Sequence, residues 1–118
     1  MQNLDQLRAA HALDQAKHTD KSAVSKLPAM ILTNGLLGTL AFSAEEGKDK
    51  RAKMLAAVTS LTKHLAHSLP ELAGLSTPVS LAAKLAGGDA ITLQRATTEA
   101  LAYFGYLKRY APKKPDAE

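Results

Sequence analysis

The chain has 118 residues, which is enough for one hydrophobic core and too few for two domains. Hydrophobic residues make up 46% of it, as in ordinary globular proteins, and this excludes a disordered chain. It has no cysteine, which excludes disulfides, thiolate nucleophiles and cysteine-ligated zinc, and its net charge of +4 is a mild basic excess.

Alanine and leucine dominate the sequence, while β-branched and aromatic residues are scarce. Since no segment alternates with a period of two, the composition favours helix over strand throughout. We predict an all-α fold, a single compact bundle of five to six helices over residues 1–111. Residues 112–118 are rich in lysine and proline and are predicted to form a flexible tail.

The first helix is predicted from about Leu4 to Lys17, because Asn3 and Gln6 have the spacing of a capping box. A turn follows at 18–20, and residues 22–43 form the next helical segment. Pro28 lacks an amide hydrogen and disfavours helical geometry at the residue before it. We therefore predict a break at Pro28, where either a new helix starts or one helix kinks.

Residues 27–44 carry no charge, so this segment has nearly the length of a membrane span. It also contains proline, asparagine, threonine, serine and two glycines, which favours a core helix buried on most sides. Gly35 and Gly38 lie roughly on one face, and we expect them to let a neighbouring helix approach closely.

Local sequence signals mark the ends of the remaining helices. We predict a helix from Asp49 to about Ser68, stopped by Pro70, with its buried stripe at Met54, Val58, Leu61 and Leu65. Another helix begins at Thr77–Pro78 and ends at Gly87–Gly88, and Asp89 caps the last long helix. Acidic residues at helix starts are explained by capping, without any catalytic role.

The last helix carries two distinct faces. Its apolar stripe has steps of three and four residues, at Leu93, Ala96, Ala100, Tyr103, Leu107 and Tyr110. Roughly opposite lie Arg95, Thr98, Ala102, Gly105 and Arg109. Since small side chains between two arginines allow close approach, we predict that Ala102 and Gly105 contact a partner protein.

No catalytic apparatus can be identified. His64 and His67 are three residues apart and could share a metal, but Pro70 separates them from Glu71 as a third ligand. We interpret them as solvent-facing, and His11 and His18 as helix-surface residues. The sequence predicts no metal site, no cofactor and no enzymatic activity, so function is expected to lie on a surface.

Basic residues group near the first turn and at the end of the chain. Lysines at helix ends are favoured by the helix dipole, so a solvated face explains any one of them. Taken together, they favour contact with a nucleic-acid backbone, for which arginine is well suited.

Two blocks carry a family resemblance. Residues 21–42 and 93–111 resemble the small helical subunit of type III-B CRISPR effector complexes, the Cmr type. The first block matches at Lys26-Leu27-Pro28, Ile31, Asn34-Gly35-Leu36 and Leu40-Ala41-Phe42. The second matches at Glu99-Ala100-Leu101, Tyr103-Phe104 and Leu107-Lys108-Arg109. Residues 48–88 carry no resemblance beyond helicity.

The resemblance implies a non-catalytic, cytoplasmic subunit whose copies stack into a filament lining the groove for the guide–target RNA duplex. Its partners would be the Cmr backbone and large subunits, CRISPR RNA and target RNA through the complex, and further copies of itself, with no membrane. A lining protein needs charge and shape, so we predict RNA contact at Lys17, Lys21, Lys26, Arg95 and Arg109. The alternative is a helical adaptor of an unrelated complex, without nucleic-acid contact.

Overall fold

A computed structural model of the chain describes residues 3–45 and 49–113, with side chains described for all of these except 49–51. Five α-helices occur, without any strand in these ranges, and the predicted all-α bundle is confirmed. The elements are α1 (Leu4–Gln15), a 3-10 turn (Ala16–His18), α2 (Lys21–Ala44), α3 (Asp49–Ser68), a second 3-10 turn (Pro70–Leu72), α4 (Pro78–Gly87) and α5 (Ala90–Tyr110).

The helix starts use side-chain caps. The Asn3 carboxamide oxygen accepts from the Gln6 amide at 2.8 Å, and the Gln6 side chain accepts from the Asn3 amide at 2.9 Å, which confirms the capping box. Thr77 caps α4 in the same reciprocal way, while the Asp20 and Asp89 carboxylates cap α2 and α5. Each cap satisfies an amide that the first turn leaves without a partner, a contribution of about 1 kcal/mol.

The core lies where α2 and α5 pack against each other and against α1, α3 and α4. Tyr103 and Phe104 of α5 are its largest members, and neither exposes any surface, as predicted for Tyr103 on the apolar stripe. Met54, Val58, Leu61 and Leu65 are also buried, which confirms the predicted stripe of α3. Each fully buried large apolar side chain contributes about 2 kcal/mol.

The break in α2 lies at Gly35 and not at Pro28. The break predicted at Pro28, as a helix start or a kink, is wrong in position, because Pro28 sits inside the helix. Gly35 (φ 81°, ψ 164°) is the one residue of α2 with non-helical backbone angles. The close approach predicted at the two glycines is also wrong. A Cβ on Gly35 would meet no atom within 4 Å, and one on Gly38 would meet Asn34 of the same helix. Gly35 is needed for its backbone conformation, which L-residues rarely adopt.

Helix α2 is long and apolar enough to cross a membrane by length and composition, with a mean hydropathy of 1.4. Core helices of soluble proteins pass the same test. Only 33% of the apolar window is buried, and Leu32 is 75% exposed. The expectation that this helix is buried on most sides is therefore wrong, because its core contacts come from one face.

The end of α5 is tied to the start of α2. The Lys21 amide donates to the Pro112 carbonyl at 3.0 Å, and Ala111 is buried. Residues 114–118 of the predicted tail lie outside the described ranges, so the domain boundary near residue 111 stays a prediction.

Candidate nucleic-acid and partner interface

One face of α5 is open to solvent. We call Arg95, Thr98, Ala102, Gly105 and Arg109 the outer strip. Four of these residues are exposed and Ala102 is half-buried. A Cβ on Gly105 would meet no atom within 4 Å. Gly105 therefore lies uncovered by the rest of the described chain, while Ala102 is partly covered.

The two arginines of the outer strip differ in their surroundings. Arg95 forms an ion pair with Glu71, which follows α3, and it borders a groove of about 440 Å³ together with Arg8 and Thr98. Arg109 makes no side-chain hydrogen bond or ion pair with any described residue. The positive charge of Arg109 is thus available to a partner, whereas that of Arg95 is partly neutralised.

The predicted RNA-contacting lysines are placed by α2 and the turn before it. The Lys21 ammonium donates to the Lys108 carbonyl at 2.7 Å, so it compensates the C-terminal end of the α5 dipole. Lys17 lies exposed in the preceding 3-10 turn, and Lys26 lies exposed on α2. The structure thus brings Lys21 beside the Lys108–Arg109 end of α5. Arg95 lies fourteen residues back along the helix, roughly 21 Å away.

A buried polar network joins three helices. Arg8 of α1 donates through Nε and Nη2 to the two carboxylate oxygens of Glu99 on α5, at 2.8 and 2.7 Å. His64 of α3 lies 2.7 Å from Glu99 through Nε2, and its Nδ1 lies 2.8 Å from Nδ1 of His11 on α1. Tyr103 stacks on the His64 ring, with 4.4 Å between centroids. The network therefore fixes α1, α3 and α5 relative to one another.

The electrostatics of the network favour an ionised carboxylate. Burial alone would raise the pKa of Glu99, but hydrogen bonds from Arg8 and His64 outweigh it and lower that pKa to about 2. The hydrogen bond to Glu99 in turn raises the pKa of Arg8. Desolvation, then the neighbouring His64 and His67, lowers the pKa of His11. Burial raises the pKa of Tyr103 to about 12, although its hydroxyl contacts Ser60.

The interpretation of His11 and His64 as surface residues is wrong. His64 is 1% exposed and His11 is half-buried, whereas His67 is exposed as predicted. A signal was present in the sequence. Glu99 falls three residues after Ala96 and four before Tyr103, on the apolar stripe of α5, where a charged residue requires a buried partner. His64 occupies the corresponding position on α3, between Leu61 and Leu65.

The network is arranged for stability more than for chemistry. Its carboxylate is saturated by a bidentate arginine and an imidazole, and both Glu99 and His64 are buried. Among the described residues, no three His, Cys, Asp or Glu side chains are placed to hold a metal ion. The outer strip and the basic end of α5, by contrast, are accessible.

Comparisons with known proteins agree with this reading of the fold. The crystal structure of a CRISPR-associated Cmr5 family protein from Thermus thermophilus superimposes with a TM-score of 0.73. The two sequences are 22% identical, and the match covers 93% of this chain and 95% of the other. No curated protein matches the sequence significantly.

The sequence pattern of the CRISPR-associated Cas_Cmr5 proteins matches residues 4–113, which is nearly the whole chain. This extends the two blocks of the resemblance across α3 and α4, where no likeness had been identified. Members of this family are subunits of the Cmr-type CRISPR complex. The chain therefore belongs to the Cas_Cmr5 family of CRISPR-associated proteins.

Proposed function

We propose that this chain is a non-catalytic structural subunit that stacks with its own copies beside the Cmr backbone and large subunits. In this proposal the resulting filament lines the groove for the guide–target RNA duplex, in the cytoplasm and without a cofactor or membrane. Family membership sets aside the adaptor of an unrelated complex, because the Cas_Cmr5 family is part of the Cmr complex.

The observation that carries the proposal is the open outer strip of α5, which ends in an unpaired arginine. A lining protein does not need to recognise bases, because the guide itself reads the target sequence by pairing. It needs cations spaced along the phosphate backbone, and arginine suits bidentate phosphate contact. Arg109 and Lys17 supply such charges without a partner among the described side chains.

The five predicted RNA-contacting residues differ in whether their charges are already engaged within the chain. Arg109, Lys17 and Lys26 are exposed and unpaired within the described chain. Lys21 is engaged with the Lys108 carbonyl and Arg95 with Glu71. We therefore expect the first three to contribute more to RNA affinity than the last two.

The proposal is tested in the reconstituted complex, loaded with guide RNA, by measuring target-RNA affinity across a salt series. Lys17→Ala and Arg109→Ala should each weaken binding and reduce the slope of log affinity against log salt by about 1 for each phosphate interaction removed. Lys84→Ala is the matched control. Lys84 is also exposed and unpaired among the described residues, but it lies on α4.

If both variants match Lys84→Ala in affinity and in salt slope, the charges of Lys17 and Arg109 do not face RNA and the surface assignment fails. A complex that retains target cleavage when reconstituted without this chain would support a structural role. Loss of a hydrolytic step on a point substitution that leaves assembly intact would refute the non-catalytic role.

A further inference from the structure

A small pocket lies between α1 and α3, next to the buried network. Its volume is about 150 Å³, and its lining includes His11 and Asp14 of α1 and Lys63 and His67 of α3. The rings of His11 and His67 lie 5.2 Å apart between centroids, at an interplanar angle of 59°. Two imidazoles from different helices therefore meet in one solvent-accessible cavity.

When His64 is neutral, its hydrogen bonds determine which nitrogen of a neutral His11 bears the hydrogen. An ionised carboxylate accepts only, so His64 must donate to Glu99 through Nε2–H. In a neutral His64 ring, Nδ1 is then an acceptor. His11 must donate to it through Nδ1–H across the 2.8 Å contact. Neutral His11 therefore has a free lone pair on Nε2.

The same argument applies to His67. Its Nδ1 lies 3.1 Å from the Lys63 carbonyl of the preceding helical turn. A carbonyl oxygen only accepts, so Nδ1 carries the hydrogen and Nε2 has the free lone pair. In protein metal sites the non-ligating ring nitrogen of histidine is held by a hydrogen bond of this kind.

We propose that His11 and His67 form a two-imidazole site for a late first-row divalent metal ion such as Ni²⁺, Cu²⁺ or Zn²⁺. A metal–nitrogen bond of about 2 Å places the centroids of two bound imidazoles roughly 5 Å apart at the tetrahedral angle of Zn²⁺, which fits the 5.2 Å spacing. At the 90° angle that Cu²⁺ and Ni²⁺ prefer, the centroids lie roughly 4.5 Å apart, which a small turn of the exposed His67 ring would provide. The site was not expected from the sequence, because the two ligands are 56 positions apart and the pair considered there was His64 with His67.

The chemistry of the pocket sets the character of this site. As the described side chains stand, no third His, Cys, Asp or Glu is placed to bind the same ion. The remaining coordination positions of the metal therefore belong to water, or to the Asp14 carboxylate after its side chain rotates. The Lys63 ammonium opposes a cation, although its exposed side chain can turn into solvent. Binding is therefore exchangeable and weaker than at a closed structural site.

The test uses the full chain without a histidine tag, at pH 8. Isothermal titration calorimetry with Ni²⁺ should show one ion per chain. His67→Ala should weaken binding by about tenfold or more, because it removes one of two protein ligands. His67 is exposed, so this substitution should leave the fold intact. His18→Ala, an exposed histidine outside the pocket, is the matched control and should bind as the wild type does.

Electron paramagnetic resonance of the Cu²⁺ complex gives an independent readout. The wild type should show hyperfine coupling to two imidazole nitrogens, and His67→Ala to one. His11→Ala provides the second ligand variant and should show the same loss. No calorimetric binding by the wild type, or equal affinity of His67→Ala and the wild type, would overturn the proposal.

Discussion

Glu99 is where three helices converge, and its side chain is only 6% exposed, so little solvent can replace its protein partners. Arg8 and His64 supply three hydrogen bonds to it. Removing one partner of a buried ion pair leaves the other charge desolvated, and this is strongly destabilising. We expect Glu99→Gln to lower the free energy of unfolding by about 3 kcal/mol, measured by urea denaturation at pH 7.

Glu71→Gln is the control for that substitution. Glu71 also pairs with an arginine, but the Arg95 side chain is 50% exposed and the pair is solvated. Exposed ion pairs contribute about 1 kcal/mol or less, so this change should have little effect on stability. Equal losses for the two variants would show that the Glu99 network does not hold the helices together.

The pH dependence of stability follows from the same carboxylate. The pKa of Glu99 is about 2 in the folded chain, below its ordinary value of 4.5. A carboxylate whose pKa is lower in the folded chain than in the unfolded chain stabilises the fold at pH values above its unfolded pKa. This stabilisation is lost as the pH falls toward the folded pKa. We expect stability to decline between about pH 4.5 and 2. Unfolding curves across this range should show a smaller decline for Glu99→Gln, and an unchanged decline would contradict the assignment.

At the scale of the elements, the geometry of α2 depends on one glycine. Gly35 has φ 81° and ψ 164°, a conformation that is essentially restricted to glycine. Gly35→Ala should therefore destabilise the fold by about 1–3 kcal/mol, although there is open space for the new methyl group. Thermal unfolding followed by circular dichroism measures this effect.

Gly105→Ala is the matched control, because Gly105 also has open space around it but lies within α5. Alanine has the higher helix propensity, so this substitution should stabilise the chain by about 0.5–1 kcal/mol. Effects of opposite sign at the two glycines would separate backbone strain from crowding. A neutral Gly35→Ala would indicate that α2 can straighten without loss.

The ends of these helices could be predicted from sequence because capping is local. Asn3 and Gln6, or Thr77 and Ser80, are three residues apart, and the cap depends on nothing beyond that turn. The position of the break in α2 could not be predicted in this way. The rules for Pro28 and for Gly35 conflict, and packing of the whole segment decides which residue leaves helical geometry.

At the scale of the whole molecule, long-range contacts between polar residues limit prediction from sequence. Arg8 and Glu99 are separated by 91 positions, and His11 and His64 by 53. Helical periodicity shows that Glu99 and His64 face the core, but it does not identify their partners. The open outer strip could be predicted, because exposure of a helical face depends on the same periodicity as burial of the opposite face.

Assembly through the outer strip provides the last prediction, which concerns the predicted contacts at Ala102 and Gly105. If a partner helix packs closely on this face, the absence of a side chain at residue 105 is required by the neighbouring subunit and not by the fold. Gly105→Gln should then leave the isolated chain as stable as the wild type or slightly more stable, because glutamine favours helix. The same variant should incorporate poorly into the reconstituted Cmr complex, as measured by co-purification. Gly87→Gln, which also meets open space but lies at the end of α4, should incorporate normally. Normal incorporation of Gly105→Gln would mean that no subunit approaches α5 closely at this point, and the contact would have to lie on another face.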